Sequence, residues 1–397
     1  MRQIHPFPAR MAPEIALKAM ASMKRGSTVL DPMVGSGTVI RQALRNGHRA
    51  YGYDMDPLAV LMSKVSVSSP KETLVQKHLD RLLYDLKALG NSRVDLPWID
   101  DDVETLEFTK FWFAQKQRKK LRAIAFILNE YRHSNMNKES INLLELALSR
   151  IIITKKIGAS LAWDISHSRP HRAKDTNDFD VVSGYTKSAL KLIENLCSDC
   201  DFSGTAVIKS GDARKMTGID TASIDAIVTS PPYLNAIDYL RGHKLALVWL
   251  GHDIEKLRQI RASSIGTEKT KNGATHTIAE DIQRKVIPQK NDLQPNQIKM
   301  INRYIVDAIN LMGETSRVLK ENGKAIFVIG NSCLRSTHVE NSEIFKEAAR
   351  IHNLKVKHHT ERELPQSSRY LPIPKGTKEA LGKRMRSEHV LTFVHKN

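Results

Sequence analysis

The stretch Ile224–Tyr233 (IDAIVTSPPY) decides how the rest of the chain is interpreted. Its apolar part, Ile224–Val228, is typical of a buried strand. The prolines end that strand because proline fixes its own φ and disfavours helix at the residue before it. An extended corner at the carboxyl edge of an open α/β sheet lies where such folds bind ligands. This corner presents a hydroxyl, several carbonyls and an aromatic ring, which suit a flat base with an exocyclic amine. A plain strand and proline-rich turn would have the same local sequence.

A glycine loop lies further towards the N-terminus. The loop Asp31–Thr38 (DPMVGSGT) follows a short apolar strand and leads into a helix. Gly35 and Gly37 permit backbone conformations closed to other residues and let a ligand approach the main chain. The next strand ends at Asp54, about 20 residues after the loop, where nucleotide-binding βαβ units place a carboxylate on the ribose hydroxyls. Because the loop departs from GxGxxG and no GxxxxGK[ST] occurs, neither a dinucleotide nor ATP is expected.

The α/β pattern is interrupted between these motifs. Residues 69–199 lose the strand signals and show helical spacing at 73–89, 108–131 and 139–153. The apolar residues expected in the core of these helices are Phe111, Trp112, Phe113, Leu121, Ile124 and Ile127. The basic loop 166–172 either contacts phosphates or is a solvated surface. We therefore predict a discontinuous α/β core, residues 1–68 and 200–397, with a helical insertion at 69–199.

The second part of the core again alternates strands and helices. Strands are predicted at 27–30, 50–53, 205–209, 224–228, 325–329, 354–358 and 390–394, and helices at 14–23, 39–45, 234–250, 304–320 and 341–352, with a turn at 321–323. Asp212 follows one strand, where it either accepts a hydrogen bond from an adenine amino group or caps the next turn. The tract 263–296 is polar and poor in apolar residues, which predicts a flexible surface loop.

Composition limits the class of protein and of partner. The 397 residues are 41% hydrophobic and 26% charged, as in globular proteins, and the formal net charge is +18. This excess favours a polyanionic partner such as nucleic acid, although a ribosome or an acidic protein would also fit. Neither an apolar run long enough to span a bilayer nor a secretory leader is found, so we expect no membrane span and a cytoplasmic protein. Three cysteines fit a reducing compartment, and the Cys197-x-x-Cys200 pair is expected to be incidental because no second pair completes a metal site.

Three motifs together resemble those of a known family. DPMVGSGT (31–38), GYDMDPLAV (52–60) and TSPPY (229–233) resemble the S-adenosylmethionine-dependent DNA methyltransferases that modify N6 of adenine or N4 of cytosine. HPFPARMAPEI (5–15) is similar to the segment before the glycine loop in many of them. The resemblance implies a Rossmann-like sheet, S-adenosyl-L-methionine as cofactor, no metal, and double-stranded DNA as partner. It leaves 69–199 as a candidate target-recognition or DNA-contact region, and a restriction nuclease as a candidate further partner.

The resemblance also implies roles for individual residues. The residues on the cofactor are Asp31, Gly35, Gly37 and Thr38 on its methionine side, Asp54 on the ribose and Asp212 on the adenine, with His5 and Arg10 as weaker candidates near its carboxylate. The residues on the target base are Ser230, Pro231, Pro232 and Tyr233. The base must leave the duplex to reach this pocket. Serine at the first position of the tetrapeptide favours cytosine N4 over adenine N6, and the absence of a Pro-Cys pair argues against methylation at carbon-5.

Three alternatives stay open at this point. An RNA or tRNA amino-methyltransferase would use the same chemistry on single strands, although we find no appended RNA-binding module. Methylation of a protein glutamine amide uses a related NPPY motif, but serine replaces the asparagine here. A nucleic-acid-binding protein with an inactive methyltransferase fold is disfavoured by the intact Asp31, Gly35, Gly37, Asp54 and Ser230.

Overall fold

The computed structural model describes residues 4–5, 11–154, 157–163, 170–197, 202–234, 238–266, 276–287, 293–334, 337–363 and 387–396. Within these residues the strands are β1 (Thr28–Asp31), β2 (Arg49–Asp54), β3 (Ala162–Trp163), β4 (His171–Arg172), β5 (Thr205–Ser210), β6 (Ile224–Thr229), β7 (Leu319–Gly330), β8 (Ser332–Leu334), β9 (Thr337–Val339), β10 (Leu354–Glu363) and β11 (Ser387–His395). Seven of them form one sheet in the order β10-β11-β7-β6-β1-β2-β5, and β3-β4 and β8-β9 form two short ribbons.

The strand order of the main sheet defines a crevice. Neighbouring strands run parallel except β11, which is antiparallel to both β7 and β10. The order reverses at β1, which has β2 on one side and β6 on the other. Open α/β sheets bind ligands outside the carboxyl ends of the strands at such a reversal. The glycine loop (31–38) follows β1. Residues 230–233, the Ser230 corner, follow β6. The topology therefore brings both motifs to this crevice. The predicted Rossmann-like α/β fold is confirmed.

Helices cover both faces of the sheet. They are α1 (Pro13–Met20), α2 (Thr38–Arg45), α3 (Pro57–Ser66), α4 (Glu72–Leu89), α5 (Pro97–Asp100), α6 (Val103–Trp112), α7 (Gln115–Arg132), α8 (Lys138–Ile152), α9 (Val181–Cys197), α10 (Leu240–Leu247), α11 (Ile254–Ser263), α12 (His276–Val286), α13 (Pro295–Val318) and α14 (Asn341–Ile351). Successive strand residues point to opposite faces. Accordingly, Val29 and Val228 pack with α1 and α2, whereas Leu30 and Ile227 pack with α13 and α14.

The predicted insertion is built mainly of helices, α4 to α9. Their apolar faces form one continuous core with α3, α10 and α11. Leu79, Leu144 and Leu192 are fully buried in this core, on three different helices. The helical region therefore packs directly on the helices that follow β2 and the Ser230 corner. That contact ties it to the crevice side of the sheet.

The helix predicted at 108–131 is wrong as a single element. The structure ends α6 at Trp112 and begins α7 at Gln115, because Phe113 adopts an extended backbone (φ −137°, ψ 128°). This break turns the Phe113 ring into the core, where its centroid lies 4.9 Å from that of Trp249. Of the six residues expected in the core, Phe113, Leu121, Ile124 and Ile127 are buried, Trp112 is half-buried and Phe111 is 49% exposed.

Three further boundaries in the second half also need correction. The middle of the loop predicted at 263–296 is a helix, α12, whose Ala279 and Ile282 are buried against α13. The helical spacing of these apolar residues was missed because most of the surrounding residues are polar. Residues 267–275 and 288–292 of the predicted loop lie outside the described residues. The helix predicted from residue 234 begins only at Leu240. The turn predicted at 321–323 is part of β7, which runs unbroken from Leu319 to Gly330.

No described helix is long and apolar enough to cross a membrane.

Candidate active site

The carboxylate at the end of β1 contacts the end of β6. Thr229 donates its hydroxyl to Asp31 Oδ1 at 2.8 Å, and the Met33 amide donates to the same oxygen at 3.2 Å. Asp31 is 4% exposed, and this burial raises its pKa to about 7. Within the described chain it forms no ion pair. A buried carboxylate with neutral donors alone is suited to a cationic ligand group.

The glycine loop has the close backbone approach that its sequence predicts. Gly37 has a φ of 85° and caps the N-terminus of α2. A Cβ at this position would lie 2.4 Å from Ser66 Oγ, so only glycine fits without displacing α3. The Ser63 hydroxyl donates to the Gly35 carbonyl at 2.8 Å, which holds the loop against that helix. Thr38, at the first position of α2, is buried.

Asp54 ends β2 on the opposite side of this loop. Its carboxylate accepts hydrogen bonds from the backbone amides of Gly35 and Asp56, each at 2.9 Å. Burial and the neighbouring Asp56 raise the pKa of Asp54 to about 6. Asp56 caps α3 by accepting from the Leu58 amide, and its other oxygen lies 2.5 Å from His243 Nδ1. Asp31, which is buried, and Asp54, which is half-buried, are thus two carboxylates that flank one glycine loop, an arrangement that fits a positively charged, hydroxyl-bearing cofactor.

Asp212 is held by an arginine that the sequence-based prediction missed. Arg214 donates two hydrogen bonds to Asp212, from Nη2 to Oδ2 at 2.7 Å and from Nε to Oδ1 at 2.9 Å. Its Nη1 donates a third to Asp307 Oδ1 at 2.5 Å. Burial by itself would raise the pKa of Asp212, but the Arg214 contacts outweigh it and the pKa is lowered. Asp307 also accepts from the Gly266 amide at 3.0 Å, and Arg214 donates to the Ser263 carbonyl. This network fixes the strand end against α13 and the residues after α11.

The Ser230 corner is held at two points. The Ser230 hydroxyl donates to the Val328 carbonyl at 3.0 Å. The Tyr304 hydroxyl, on α13, donates to the Pro232 carbonyl at 3.0 Å. No donor among the described residues reaches the Pro231 carbonyl. Burial raises the pKa of the half-buried Tyr233 to about 12, so this side chain is neutral at physiological pH.

The structure thus brings the predicted residues of β1, β2 and β6 to one crevice. His5 is buried, and the preceding Ile4 carbonyl accepts from Arg150 of α8 at 2.5 Å. Arg10, residues 166–169 of the basic loop, the Cys197 side chain and Cys200 lie outside the described residues. Within the described part of the chain, no cluster of three or more His, Cys, Asp or Glu side chains is arranged to hold a metal ion.

Comparison with known proteins finds similarity to type II methyltransferases. No family model matches the chain. The type II methyltransferase M.BsoBI of Geobacillus stearothermophilus is 25% identical over 272 residues, which cover 61% of this chain and 51% of that protein. M.MvaI of Kocuria varians, also a type II methyltransferase, is 20% identical over 385 residues, or 88% and 81% of the two chains. M.AvaI of Nostoc sp. is 24% identical over 343 residues, or 77% and 68%.

The chain is thus similar, at 20–25% identity, to type II methyltransferases. This similarity supports the family resemblance, and with it the cofactor S-adenosylmethionine, that the three sequence motifs indicate. The chain spans about half the length of M.BsoBI and 81% of M.MvaI.

The chain also aligns, at low TM-scores, with solved structures of methyltransferases. A TehB-like SAM-dependent methyltransferase from Corynebacterium glutamicum has a TM-score of 0.30 at 10% identity, covering 97% of this chain and 87% of that one. A geranyl diphosphate methyltransferase in complex with SAM has a TM-score of 0.34 at 7% identity, covering 97% and 84%. The strand order of this chain by itself identifies the α/β fold.

Proposed function

We propose that the protein transfers the methyl group of S-adenosylmethionine to the exocyclic amine of a flipped base in DNA, with N4 of cytosine as the favoured target. The observation that carries this proposal is the hydrogen bonding of the Ser230 corner. An exocyclic amine is a poor nucleophile because its lone pair is delocalised into the ring. Two acceptors that take its N–H hydrogens would localise that lone pair and direct it towards an electrophile.

The corner offers both acceptors. The Ser230 hydroxyl uses its proton on the Val328 carbonyl, and the Tyr233 hydroxyl is a second neighbour within hydrogen-bonding reach, so the Ser230 oxygen keeps one lone pair as an acceptor. The Tyr304 hydroxyl occupies the carbonyl of Pro232, whereas the preceding carbonyl of Pro231 has no donor among the described residues. Together these contacts leave the Ser230 oxygen and the Pro231 carbonyl for an amine. Tyr233, neutral and half-buried beside them, is available to stack on the base.

The carboxylates around the glycine loop have matching roles. When bound, the cofactor supplies an electrophilic sulfonium methyl group. Asp31 would accept from the ammonium of its methionine part, Asp54 from its ribose hydroxyls, and Asp212 from its adenine amino group. Gly35, Gly37 and Thr38 would let the main chain approach it. The contact between Thr229 and Asp31 links the residue next to Ser230 to this carboxylate and supports the proposal that cofactor and base would be held in a fixed relative position.

Two observations support DNA as the substrate. The relatives are type II methyltransferases, and the net charge of +18 favours a polyanion. Cytosine is favoured over adenine because serine stands at the first position of the tetrapeptide, a preference that comes from the family resemblance. A restriction nuclease as a partner stays a prediction.

The test is transfer of labelled methyl from S-adenosylmethionine to duplex DNA and, separately, to total RNA, followed by nucleoside analysis. We expect N4-methylcytosine in DNA and a loss of about hundredfold in rate for Ser230→Ala, because removing one positioned polar contact in an active site typically has this effect. Ser160→Ala is the matched control. This buried serine also donates to a carbonyl, that of Ile152 at 2.7 Å, but it lies in the helical insertion.

Each other outcome changes a defined part of the proposal. N6-methyladenine would keep the site and correct the base. Label in RNA alone would make the protein an RNA methyltransferase. No label in either, with S-adenosylmethionine still bound, would leave a nucleic-acid-binding protein without this activity.

A further inference from the structure

The first turns of α7 carry an unusual concentration of positive charge. The segment Gln115–Arg122 (QKQRKKLR) contains five cations and begins without an acidic residue in its first turn. A helix N-terminus already carries partial positive charge, so cations there disfavour the helix. Among the described residues only Arg122 of these five forms an ion pair, with Asp100 at 2.5 Å. Such a local conflict between charge and structure is typical of a functional surface.

Three lysines of this segment lie on one side of the helix. Lys116, Lys119 and Lys120 are separated by three and four positions, a spacing that places side chains next to each other. Lys116 and Lys119 are exposed, and Lys120 is half-buried. Their mutual repulsion is uncompensated in the described chain. It would be relieved by a polyanion that contacts all three.

An exposed aromatic residue lies just before this segment. Phe111, near the end of α6, is 49% exposed, and the Arg172 guanidinium lies 5.1 Å from its ring centroid. The Trp112 ring packs edge-on against Phe111 at 5.0 Å. Arg172 has an ion pair with Asp175 at 3.2 Å, but that carboxylate is 92% exposed and the pair is easily exchanged. A cation stacked on an exposed ring suits contact with phosphate and sugar groups.

These residues lie beside the elements that follow the Ser230 corner. Lys244 of α10 lies 5.2 Å from the ring centroid of Phe108, one helical turn before Phe111. The Ile254 amide, at the start of α11, donates to the Thr105 hydroxyl of α6 at 2.8 Å. The helix that carries Phe111 is therefore fixed to the two helices that come directly after the proposed base pocket. A duplex whose base enters that pocket passes close to this region.

We propose that Phe111, Lys116, Lys119, Lys120 and Arg172 form a surface, the α6–α7 basic face, that binds the phosphate backbone of duplex DNA beside the flipped base. This inference rests on the proposed function. It assigns backbone contact, not base reading, because lysines on a helix surface neutralise phosphates without distinguishing sequence. It gives the helical insertion a role that its sequence left open.

The test compares two triple substitutions of equal charge. Lys116→Gln, Lys119→Gln and Lys120→Gln together should weaken binding of a duplex oligonucleotide by about tenfold or more at physiological salt. They should also reduce the slope of log affinity against log salt by about 2.7, since each lost phosphate contact removes about 0.9. The control carries Lys24→Gln, Lys355→Gln and Lys357→Gln, three exposed lysines at the amino edge of the sheet, and should keep the wild-type slope.

A second variant separates the aromatic contact from the charges. Phe111→Ala should weaken DNA binding while the salt slope stays that of the wild type, and affinity for S-adenosylmethionine should not change in any variant. A wild-type slope in the first triple variant, or an equal loss in the control, would overturn the α6–α7 basic face. If instead the wild type transfers no methyl to DNA, the proposed function fails. These two failures are distinguishable because the slope comes from binding alone.

Discussion

The crevice of the sheet and the α6–α7 basic face differ in whether their charged side chains have partners within the protein. At the crevice, Arg214 is held between Asp212 and Asp307, and Asp54 accepts two backbone amides. On the basic face, Lys116 and Lys119 have no ion pair in the described chain. Reacting groups need fixed geometry, so their charges are held in place before a ligand binds. A surface that binds a polyanion obtains its counter-charges from the partner. Each of the following changes tests one side of this contrast.

The largest effect is expected from Arg214→Gln. The substitution leaves Asp212 and Asp307 without their shared cation, and the Asp307 side chain is only 6% exposed. Removing one partner of a buried ion pair typically lowers the free energy of unfolding by about 3–5 kcal/mol. Urea unfolding of the two proteins measures this difference. The same substitution at Arg81, whose side chain is 64% exposed beside Asp85, should leave stability unchanged within error. Equal losses at the two positions would contradict the contrast.

A smaller, pH-dependent effect is expected at Asp31. Burial raises its pKa to about 7 from an ordinary value of 3.8. In the free protein this group therefore favours folding most at acidic pH, and that contribution is lost as the pH rises towards 7. A cationic cofactor needs the ionised form, so affinity for S-adenosylmethionine should rise with pH up to about 7, by at most about tenfold per unit.

The Asp31→Asn variant isolates this dependence. It should bind S-adenosylmethionine about thirtyfold more weakly at pH 8, the loss of one charge-assisted hydrogen bond. It should also retain only the part of the pH dependence that comes from Asp54, whose pKa is about 6. Calorimetric titration between pH 5.5 and 8 gives both quantities. Asp225→Asn, at the amino end of β6, is the control and should follow the wild type at every pH.

The smallest effect is expected from Tyr304→Phe. Losing the hydroxyl frees the Pro232 carbonyl and loosens the corner that carries Ser230 and Pro231. One hydrogen bond of this kind contributes about 1 kcal/mol, so kcat should fall about tenfold or less while KM for S-adenosylmethionine is unchanged. Steady-state kinetics separate the two parameters.

Tyr185→Phe is the matched control for this measurement. Tyr185 is as deeply buried as Tyr304, but its hydroxyl has no partner among the described residues. Its removal should leave kcat intact. A fall in kcat of equal size in both variants would assign the effect to general loosening of the core.

The features that could be predicted from the sequence are those that a short stretch of residues determines. Four strands, β1, β2, β5 and β6, agree with prediction within a residue or two, because each is a short apolar run followed by glycine, proline or aspartate. The motif residues meet at the crevice because they end adjacent parallel strands. What could not be predicted depends on distant partners. Tyr304 is 72 residues from Pro232, and Asp307 is 93 residues from Arg214. No local pattern marks either contact.

The same limit explains the errors in the helices. The Phe113 ring at the break packs on Trp249, a residue distant in sequence and outside the predicted insertion, so no local pattern marks this contact. The helix α12 was missed because its few apolar residues are outnumbered by polar ones, and only packing on α13 makes their spacing informative. The ion pair between Asp212 and Arg214 was missed although the two residues are close in sequence. Arg214 is held by a second partner, Asp307, which is 93 residues away.

The pairing of β2 with β5 has a consequence for how the chain folds. These strands are neighbours in parallel register, from Arg49 with Thr205 to Asp54 with Ser210, yet helices α3 to α9 and the β3-β4 ribbon lie between them in sequence. Closing a long disordered segment is entropically unfavourable, whereas a folded helical region brings its two ends together at no further cost. The rate at which β5 joins the sheet should therefore depend on how fast the insertion folds. A substitution in the core of the insertion, such as Leu144→Ala, should then slow the refolding of the sheet, although Leu144 lies in helix α8 and not in a strand.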